Sequence, residues 1–415
     1  MTRPEPIGQI EDALASGAFA RHPHIWYERL QETAPVYWSP YLEQWLVTSY
    51  DLVEKVLLSP GEFSNFGFNR AFIGRLPALA YQDVGVLRHH YNQQGLIQTD
   101  PPEHTRLRRL LGPSFSPRAL SHLGPAISDR VADLIRDARR KDEPFDVVAG
   151  LAKQVPVQVI ADLLGVPEPH RRRFPTWSAH VIRFFGTAAP VPTHARALNR
   201  SLVEWRSLIV ELLASRSEEP KRDLLTELAG LVGSERMTLE EALFTAIHLL
   251  IAGHETTTAL IANTIYCLLT RPDQLEEVRA SPDLLAGAIE ETLRYEPSIT
   301  RLRRLTVEDA ELGDVVIKAG DPVSAVISAA NRDPTRFADP HDYVADRTFS
   351  SVPHLSFGRG RHFCLGAALA RVETRIAVNG FLEGFPGARL ADTRPPDRVA
   401  SINHRSLASL LVAGC

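Results

Sequence analysis

The chain has 415 residues, of which 44% are hydrophobic and 23% are charged, and its formal net charge at pH 7 is −4. This is an ordinary globular composition with enough apolar material for a large core. The small negative charge gives no reason to expect nucleic acid as a partner. The cysteines, Cys267, Cys364 and Cys415, are sparse and odd in number, which argues against a disulfide framework and indicates a reducing compartment.

The N-terminal stretch 1–6 has no apolar run, so neither a secretory signal nor a membrane anchor is predicted there. The longest apolar stretch, 244–269, is interrupted after Ala252 by a glycine and two polar residues, and we interpret it as a buried helix. We therefore expect a cytoplasmic protein without membrane contact. The sequence has no low-complexity linker and no internal repeat, which favours one large α-rich unit with a minor β part over residues 1–415.

In chain order, the first elements are short. The sequence predicts a helix over 24–32, strands over 35–38 and 44–48, and a helix that begins at 49–51. Residues 60–97 then form a long irregular segment with several phenylalanines, and such loops in compact proteins are often functional. Two interpretations remain open: the aromatic residues line a substrate site, or they only cover the core.

The middle of the chain is predicted to be helical. Periodicity from 121 to 216 is broken at 187–192, an apolar break that is a candidate hinge or lid. Thr238 and Glu241 fit a capping box, and the helix that they open need not stop before Arg271. It would have about 33 residues and a length of about 50 Å, enough to cross the molecule.

The centre of this long helix reads Ala252-Gly253-His254-Glu255-Thr256. Glycine weakens a helix interior, and threonine can bond back to the carbonyl four residues earlier. A buried carboxylate beside a hydroxyl is costly in an apolar helix unless it has a purpose. The segment is therefore either a kinked core helix with a satisfied polar pair or a functional acid–alcohol pair.

The last third begins with a predicted helix over 281–295, in which Glu291 and Arg294 share a face. Residues 299–329 alternate apolar and polar around two turns, which predicts antiparallel strands. A final hairpin is predicted over 402–412.

Segment 356–366, Ser-Phe-Gly-Arg-Gly-Arg-His-Phe-Cys-Leu-Gly, precedes a predicted helix over 367–381. Cys364 lies just before this helix, where free amides and the helix dipole favour a thiolate, which is a soft metal ligand. The glycines let the backbone approach a large flat group. One cysteine cannot form a zinc or iron–sulfur cage, so the pattern predicts another kind of metal centre; the alternative is a buried cysteine in a glycine-rich turn.

Five positions here, Phe357, Gly360, His362, Cys364 and Gly366, match in order and spacing the haem-binding signature of the cytochrome P450 monooxygenases, which the chain resembles. The resemblance implies haem b, iron protoporphyrin IX, with the Cys364 thiolate as axial ligand of the iron. It also implies that Phe357, His362 and Gly366 bind the haem. The implied fold is mainly α with a minor antiparallel β part and a long central helix over the haem.

Further motifs occur in the family's order. The helix centre matches the motif that faces bound O₂, which implies that Ala252 borders the haem and that Glu255 and Thr256 deliver protons. Segment 100–108 matches a helix start whose His104 and Arg108 pair with a haem propionate.

The resemblance assigns two more arginine positions. Arg303 matches the second propionate arginine, with Arg304 as the competing choice. Glu291 and Arg294 match a structural pair of the family, which Arg347 would complete.

The implied function is insertion of one oxygen atom of O₂ into a C–H bond of a small, mostly apolar substrate, which could be a terpenoid, fatty acid, aromatic compound or macrolide. A ferredoxin with its reductase would supply electrons, and its acidic face would meet Arg108, Arg359, Arg361 and Arg371.

One alternative is a peroxide-using or rearranging haem-thiolate enzyme, which usually lacks the acid–alcohol pair. The other is a non-catalytic haem sensor or electron carrier, which needs no aromatic loop. The expected substrate lining comprises 63–81, Phe184, Phe185, His248, Leu249, Ala252, Ile299, Thr300 and Ile402.

Overall fold

The structure is a computed structural model that describes residues 5–16, 18–140, 144–392 and 394–414. Most of the N-terminal stretch 1–6, and Cys415, lie outside the described residues. Among those residues no helix combines the length and apolar character that a membrane crossing requires.

The described chain is mainly helical, as predicted. Its α-helices are α1 (Glu5–Ser16), α2 (Ala18–Arg21), α3 (Pro23–Thr33), α4 (Tyr50–Leu58), α5 (Phe68–Gly74), α6 (Ala78–Gln82), α7 (Gly85–Tyr91), α8 (Glu103–Leu111), α9 (Pro117–Leu120), α10 (Leu123–Arg139), α11 (Gln154–Leu164), α12 (Glu168–Arg171), α13 (Phe174–Phe185), α14 (Pro192–Glu218), α15 (Leu224–Gly233), α16 (Leu239–Leu269), α17 (Pro272–Ala280), α18 (Leu284–Tyr295), α19 (Ile327–Ala330) and α20 (Ala367–Gly384). Short 3₁₀ turns cover Leu96–Gln98, Gly112–Phe115 and Gly360–His362, and Val148–Ala152 is π-helical.

The β part is small. Its strands are β1 (Val36–Ser39), β2 (Gln44–Val47), β3 (Phe63–Ser64), β4 (Phe145–Asp146), β5 (Leu302–Thr306), β6 (Ala310–Leu312), β7 (Val315–Ile317), β8 (Pro322–Ala325), β9 (Arg389–Leu390) and β10 (Leu411–Ala413). They form sheets of order β1-β2-β8-β5-β3, β4-β10-β9 and β6-β7. Every pair is antiparallel except β2–β8, in which Trp45 lies opposite Val323. The minor antiparallel part is confirmed, whereas the parallel pair joins strands far apart in sequence and no local pattern predicted it.

Two predicted segments differ in the structure. The 60–97 stretch is not irregular throughout, because α5, α6 and α7 lie within it. Helices this short depend on tertiary packing and leave little periodicity in the sequence; Phe72 of α5, for example, packs on Phe184 and Phe185 of α13. The 402–412 stretch is not a hairpin either, since β10 pairs with β4 and β9.

The long helix α16 is confirmed, including its start. Glu241 donates its backbone N–H to the Thr238 hydroxyl at 3.2 Å, and its carboxylate accepts from the Thr238 backbone at 2.8 Å. The helix continues without interruption through Gly253. Glycine at this position allows close packing, because a Cβ would lie 3.1 Å from Ile160 Cδ1 of α11. Gly253 therefore serves the close contact between α16 and α11.

A buried ion cluster connects α18 to the rest of the C-terminal half. Arg294 donates to both carboxylate oxygens of Glu291, at 2.8 and 2.7 Å, and both side chains are 0% exposed. Arg347 donates to the same carboxylate at 3.1 Å. A further Arg294 bond reaches the carbonyl of Asn331, whose side chain binds the backbone N–H of Leu355 at 2.7 Å. The cluster thus fixes the start of the cysteine segment relative to α18.

Candidate active site

Cys364 lies between the 3₁₀ turn Gly360–His362 and the N-terminus of α20. Its backbone N–H donates to the Phe357 carbonyl at 2.8 Å, which closes the loop. Gly358 and Gly360 have φ of 72° and 64°, which side chains disfavour. At Gly360 a Cβ would also lie only 2.9 Å from Leu58 Cδ2. The conformation that presents Cys364 therefore requires the glycines of the motif.

The charge state of Cys364 depends on what it binds. Burial raises the pKa of the thiol above its usual value, although a hydrogen bond from the Gly366 amide and the charges of Arg108 and Arg371 act in the opposite direction. The helix start therefore supports a thiolate less than the sequence suggested, because burial outweighs it. A metal cation on the sulfur would supply the missing stabilisation.

A cavity of about 310 Å³ separates the cysteine loop from α16. Phe357, Cys364 and Gly366 line one side of it, and Ala252 and Thr256 of α16 line the other. The remaining lining is mostly apolar and includes Leu96, Ile97, Phe115, Ile160, Phe244, Leu249, Leu260, Ile299 and Leu302. The cavity therefore has a soft metal ligand on one wall and a hydroxyl on the opposite wall.

Basic side chains lie together in the cavity lining: His104, Arg108, Arg304 and His362. The imidazole rings of His104 and His362 are 4.0 Å apart between centroids. Both ring nitrogens of His104 and Nε2 of His362 are buried without a hydrogen-bond partner in the described structure. Burial, together with the charges of His104, Arg304 and Arg108, lowers the pKa of His362 to about 3. Together, the four basic side chains are suited to bind an anionic ligand.

These residues fit haem b. Cys364 would hold the iron, and the unpartnered nitrogens of His104 and His362 with the guanidinium groups of Arg108 and Arg304 would hold the two propionates. When bound, haem supplies the iron centre at which O₂ is bound and reduced.

The structure changes the choice of second propionate arginine. Arg304 lines the cavity, whereas Arg303 does not and packs over the rings of Phe68 and Phe185, 4.5 and 5.4 Å from the centroids. The reason is strand alternation: successive side chains of β5 point to opposite faces. Leu302 faces the cavity together with Arg304. This two-residue period is the sequence signal that could have favoured Arg304.

The acid–alcohol pair is divided between two sides of α16. Thr256 lines the cavity, and its Oγ1 donates to the Ala252 carbonyl at 2.6 Å. Glu255 is outside the lining, and its Oε1 lies 3.5 Å from His254 Nδ1. Burial raises the pKa of Glu255 to about 7, against the opposing charge of Lys153. Glu255 can therefore exchange protons near neutral pH without touching the cavity in this conformation.

Of the other residues expected to line the cavity, some do so and others do not. His248, Leu249 and Ile299 line the cavity, whereas Phe184 and Phe185 do not. Thr300 and Ile402 also lie outside the lining. Asn65, from the expected segment 63–81, lines the cavity. Sequence reasoning missed several lining residues from other elements, among them Leu96, Phe115 and Phe244. Phe244, four residues before His248 on α16, carried a helical-spacing signal that could have revealed it.

Known proteins resemble this chain over most of its length. The Cytochrome P450 family model matches residues 27–404. Cytochrome P450 107B1 of Saccharopolyspora erythraea is 38% identical over 392 residues, which are 92% of this chain and 93% of that protein. The biotin biosynthesis cytochrome P450 of Bacillus subtilis is 36% identical over 391 residues, or 92% of this chain and 94% of that protein.

Solved structures are similar over nearly the whole chain. P450BioI, in complex with acyl carrier protein carrying hexadec-9Z-enoic acid, superimposes with a TM-score of 0.86 at 34% identity and covers 96% of this chain and 100% of its own. The testosterone complex of CYP109E1 from Bacillus megaterium gives a TM-score of 0.85 at 31% identity, with 95% and 98% covered. With the thiolate loop, the cavity and the basic edge all present, the chain belongs to the cytochrome P450 family and is a haem-thiolate monooxygenase of small organic molecules.

Proposed function

We propose that the enzyme oxidises a C–H bond of a small, mostly apolar substrate with electrons from a separate ferredoxin and its reductase. The observation that carries the proposal is the cavity, in which Cys364 and the Thr256 hydroxyl face each other across an apolar space. Residues 1–415 would act as one haem domain in the cytoplasm. The reducing compartment indicated by the sparse cysteines supports this location.

In this proposal several of the residues that line the cavity bind the haem. Cys364 would hold the haem iron. The propionates would be held by His104, Arg108, Arg304 and His362. The haem would also contact Phe357, Gly366 and Ala252, which line the cavity.

Proton supply falls to the acid–alcohol pair. Thr256 Oγ1 holds a proton at the cavity surface, and Glu255 passes protons inward from solvent. The pKa of Glu255, which burial raises to about 7, suits this exchange. The pair also favours O₂-dependent oxidation over the peroxide-using alternative, which has no need of proton delivery by these side chains.

The proposed docking surface for ferredoxin surrounds the cysteine loop, but its arginines differ in availability. Arg359 is paired with Glu54 at 2.9 Å and Arg371 with Glu290 at 2.7 Å. Arg361 is exposed and makes no ion pair within the described part of the chain, and the neighbouring Phe363 ring is 41% exposed. Arg361 is therefore the strongest candidate for contact with an acidic partner.

Arg361→Glu is expected to slow ferredoxin-driven reduction by about tenfold at low salt, because a reversed charge repels an acidic partner. The difference should shrink as salt rises, since screening acts over about 8 Å at physiological ionic strength. Stopped-flow reduction with a bacterial ferredoxin measures it, and dithionite reduction should be unchanged. Arg200→Glu on α14, also at an exposed arginine, is the matched control. Equal ferredoxin rates in both variants and wild type at every salt concentration would place docking elsewhere.

A further inference from the structure

Two arginines that the haem site does not use lie near each other, Arg301 buried and Arg303 partly exposed. Arg301 directly precedes β5 and Arg303 is its second residue, so the two side chains point to the same face. Arg301 is only 3% exposed. Its Nε, Nη1 and Nη2 atoms are all buried, and none has a hydrogen-bond partner among the described residues. This is a complete guanidinium without a partner.

Arg303 is little better satisfied. Its hydrogen bonds, to the Phe185 carbonyl and to Asn69 Oδ1, are both 3.5 Å long, at the limit for such contacts. Burial and the charge of Arg301 lower the pKa of Arg303 to about 10, so it remains cationic at neutral pH. Neither arginine forms an ion pair with any carboxylate that the structure describes.

Two other buried arginines of this chain are paired with carboxylates in a hydrogen-bonded geometry. Arg294 binds Glu291 at 2.7 Å, and Arg216 binds Asp223 at 2.7 Å. A buried cation without such a partner is costly, because water no longer solvates it. Two neighbouring arginines without carboxylate partners therefore differ from Arg294 and Arg216, and an oxyanion is the ligand that a guanidinium group binds best.

The groups described around Arg303, apart from Arg301, are neutral. Phe68 and Phe185 lie against Arg303, and the Tyr91 ring packs on Phe185 at 4.8 Å. Burial and the charge of Arg303 lower the pKa of His404 to about 4, so this nearby imidazole is uncharged at neutral pH. None of these groups supplies a negative charge to Arg303.

The arginine pair adjoins the substrate cavity. Leu302, the residue between the two arginines, lines that cavity, and so does Ile299 two residues before Arg301. Both arginines lie outside the lining. Because Leu302 faces the cavity, the two arginine side chains point to the opposite face of β5. A ligand that occupies the cavity would reach them by passing the start of the strand, next to Ile299.

We propose that Arg301 and Arg303 bind an oxyanion, a carboxylate or a phosphate monoester, at the end of an otherwise apolar substrate. The apolar body would lie in the cavity next to the haem, so the inference rests on the proposed function and narrows its substrate class. The arginines would select and orient the substrate, and they would take no part in the reaction itself.

The test uses the haem-loaded full chain and imidazoles with an N-alkyl tail, because imidazole binding to haem iron shifts the absorption spectrum without turnover. Tails from hexyl to dodecyl end in a carboxylate, its methyl ester or a phosphate monoester. Above a minimum length we expect the carboxylate to bind about tenfold tighter than its ester, which corresponds to one charge-assisted contact. Comparing carboxylate with phosphate at that length shows which oxyanion is preferred.

Substitutions test whether the arginine pair causes the preference for the oxyanion over the ester. Arg301→Met and Arg303→Met should abolish it while leaving ester affinity unchanged. Arg70→Met removes an exposed arginine next to Asn69 and should keep it. Because an unpaired buried charge is removed, ligand-free Arg301→Met should melt at the wild-type temperature or above it. A marked fall would show that Arg301 has a structural role and would overturn the proposal.

Comparing the acid, phosphate and ester ligands on the wild-type protein tests the proposed oxyanion site even if a variant does not fold. Equal affinity of acid, phosphate and ester at every tail length would overturn the oxyanion site, and so would a preference that survives in both methionine variants. Failure of every imidazole to shift the spectrum would instead overturn the haem site itself, and with it the inference.

Discussion

Thr256→Ala is expected to keep NAD(P)H oxidation while product per NAD(P)H falls about tenfold or more and hydrogen peroxide rises in its place, because protons are no longer delivered correctly. The Thr256 hydroxyl is at the cavity wall opposite Cys364. Alanine is a better helix former than threonine, so α16 should remain intact. Measuring product, NAD(P)H and peroxide in one reaction gives the coupling ratio.

The matched control is Thr264→Ala. Thr264 lies on the same helix and bonds back to the Leu260 carbonyl at 2.8 Å, as Thr256 does to Ala252, but it is buried away from the cavity. Its loss should leave coupling unchanged. Glu255→Gln should instead slow NAD(P)H oxidation and product formation together, since a proton relay is lost. A correctly folded, haem-loaded Thr256→Ala with wild-type coupling would refute the proton role.

Glu291→Gln is expected to lower the free energy of unfolding by about 3–5 kcal/mol, the usual result of leaving a buried charge without its partner. Arg294 is 0% exposed and shares the Glu291 carboxylate with Arg347. Because the Arg294 network also holds Asn331, which binds the cysteine segment, haem content should fall as well. Denaturant unfolding and the haem-to-protein absorbance ratio measure the two effects.

Glu290→Gln is the matched control one residue away. Burial opposes ionisation of Glu290, but hydrogen bonds from Arg371 and His354 lower its pKa to about 2. Its contribution to stability is therefore present above its ordinary pKa of 4.5 and disappears as the pH falls toward 2. Being partly exposed, this pair should be worth only about 1 kcal/mol. Equal losses in the two variants at pH 7 would contradict the special role of the Glu291 cluster.

The features that sequence predicted well are set by local chemistry. The capping box at Thr238 and the apolar content of α16 fixed the start and type of the long helix. Residues of one short motif also lie at one site, since Phe357, Cys364 and Gly366 line the same cavity. These predictions needed no knowledge of distant contacts.

The features that sequence did not predict depend on distant partners. The register of β5 with β3 and β8 decides which face of β5 meets the cavity. For this reason Arg304, and not the predicted Arg303, lines the haem site. The charges of Arg359 and Arg371 are partly neutralised by Glu54 and Glu290, which are remote in sequence. No local pattern reports such pairings.

The central claim is that Cys364 is the thiolate ligand of haem iron, and the absorption spectrum of the reduced protein with carbon monoxide tests it most directly. Wild type should show the red-shifted band of thiolate-ligated haem. Cys364→His should lose that band or retain little haem, while Cys267→Ser, at a cysteine that is 1% exposed in the core, should keep it. A Cys364→His protein with the wild-type band would contradict the account.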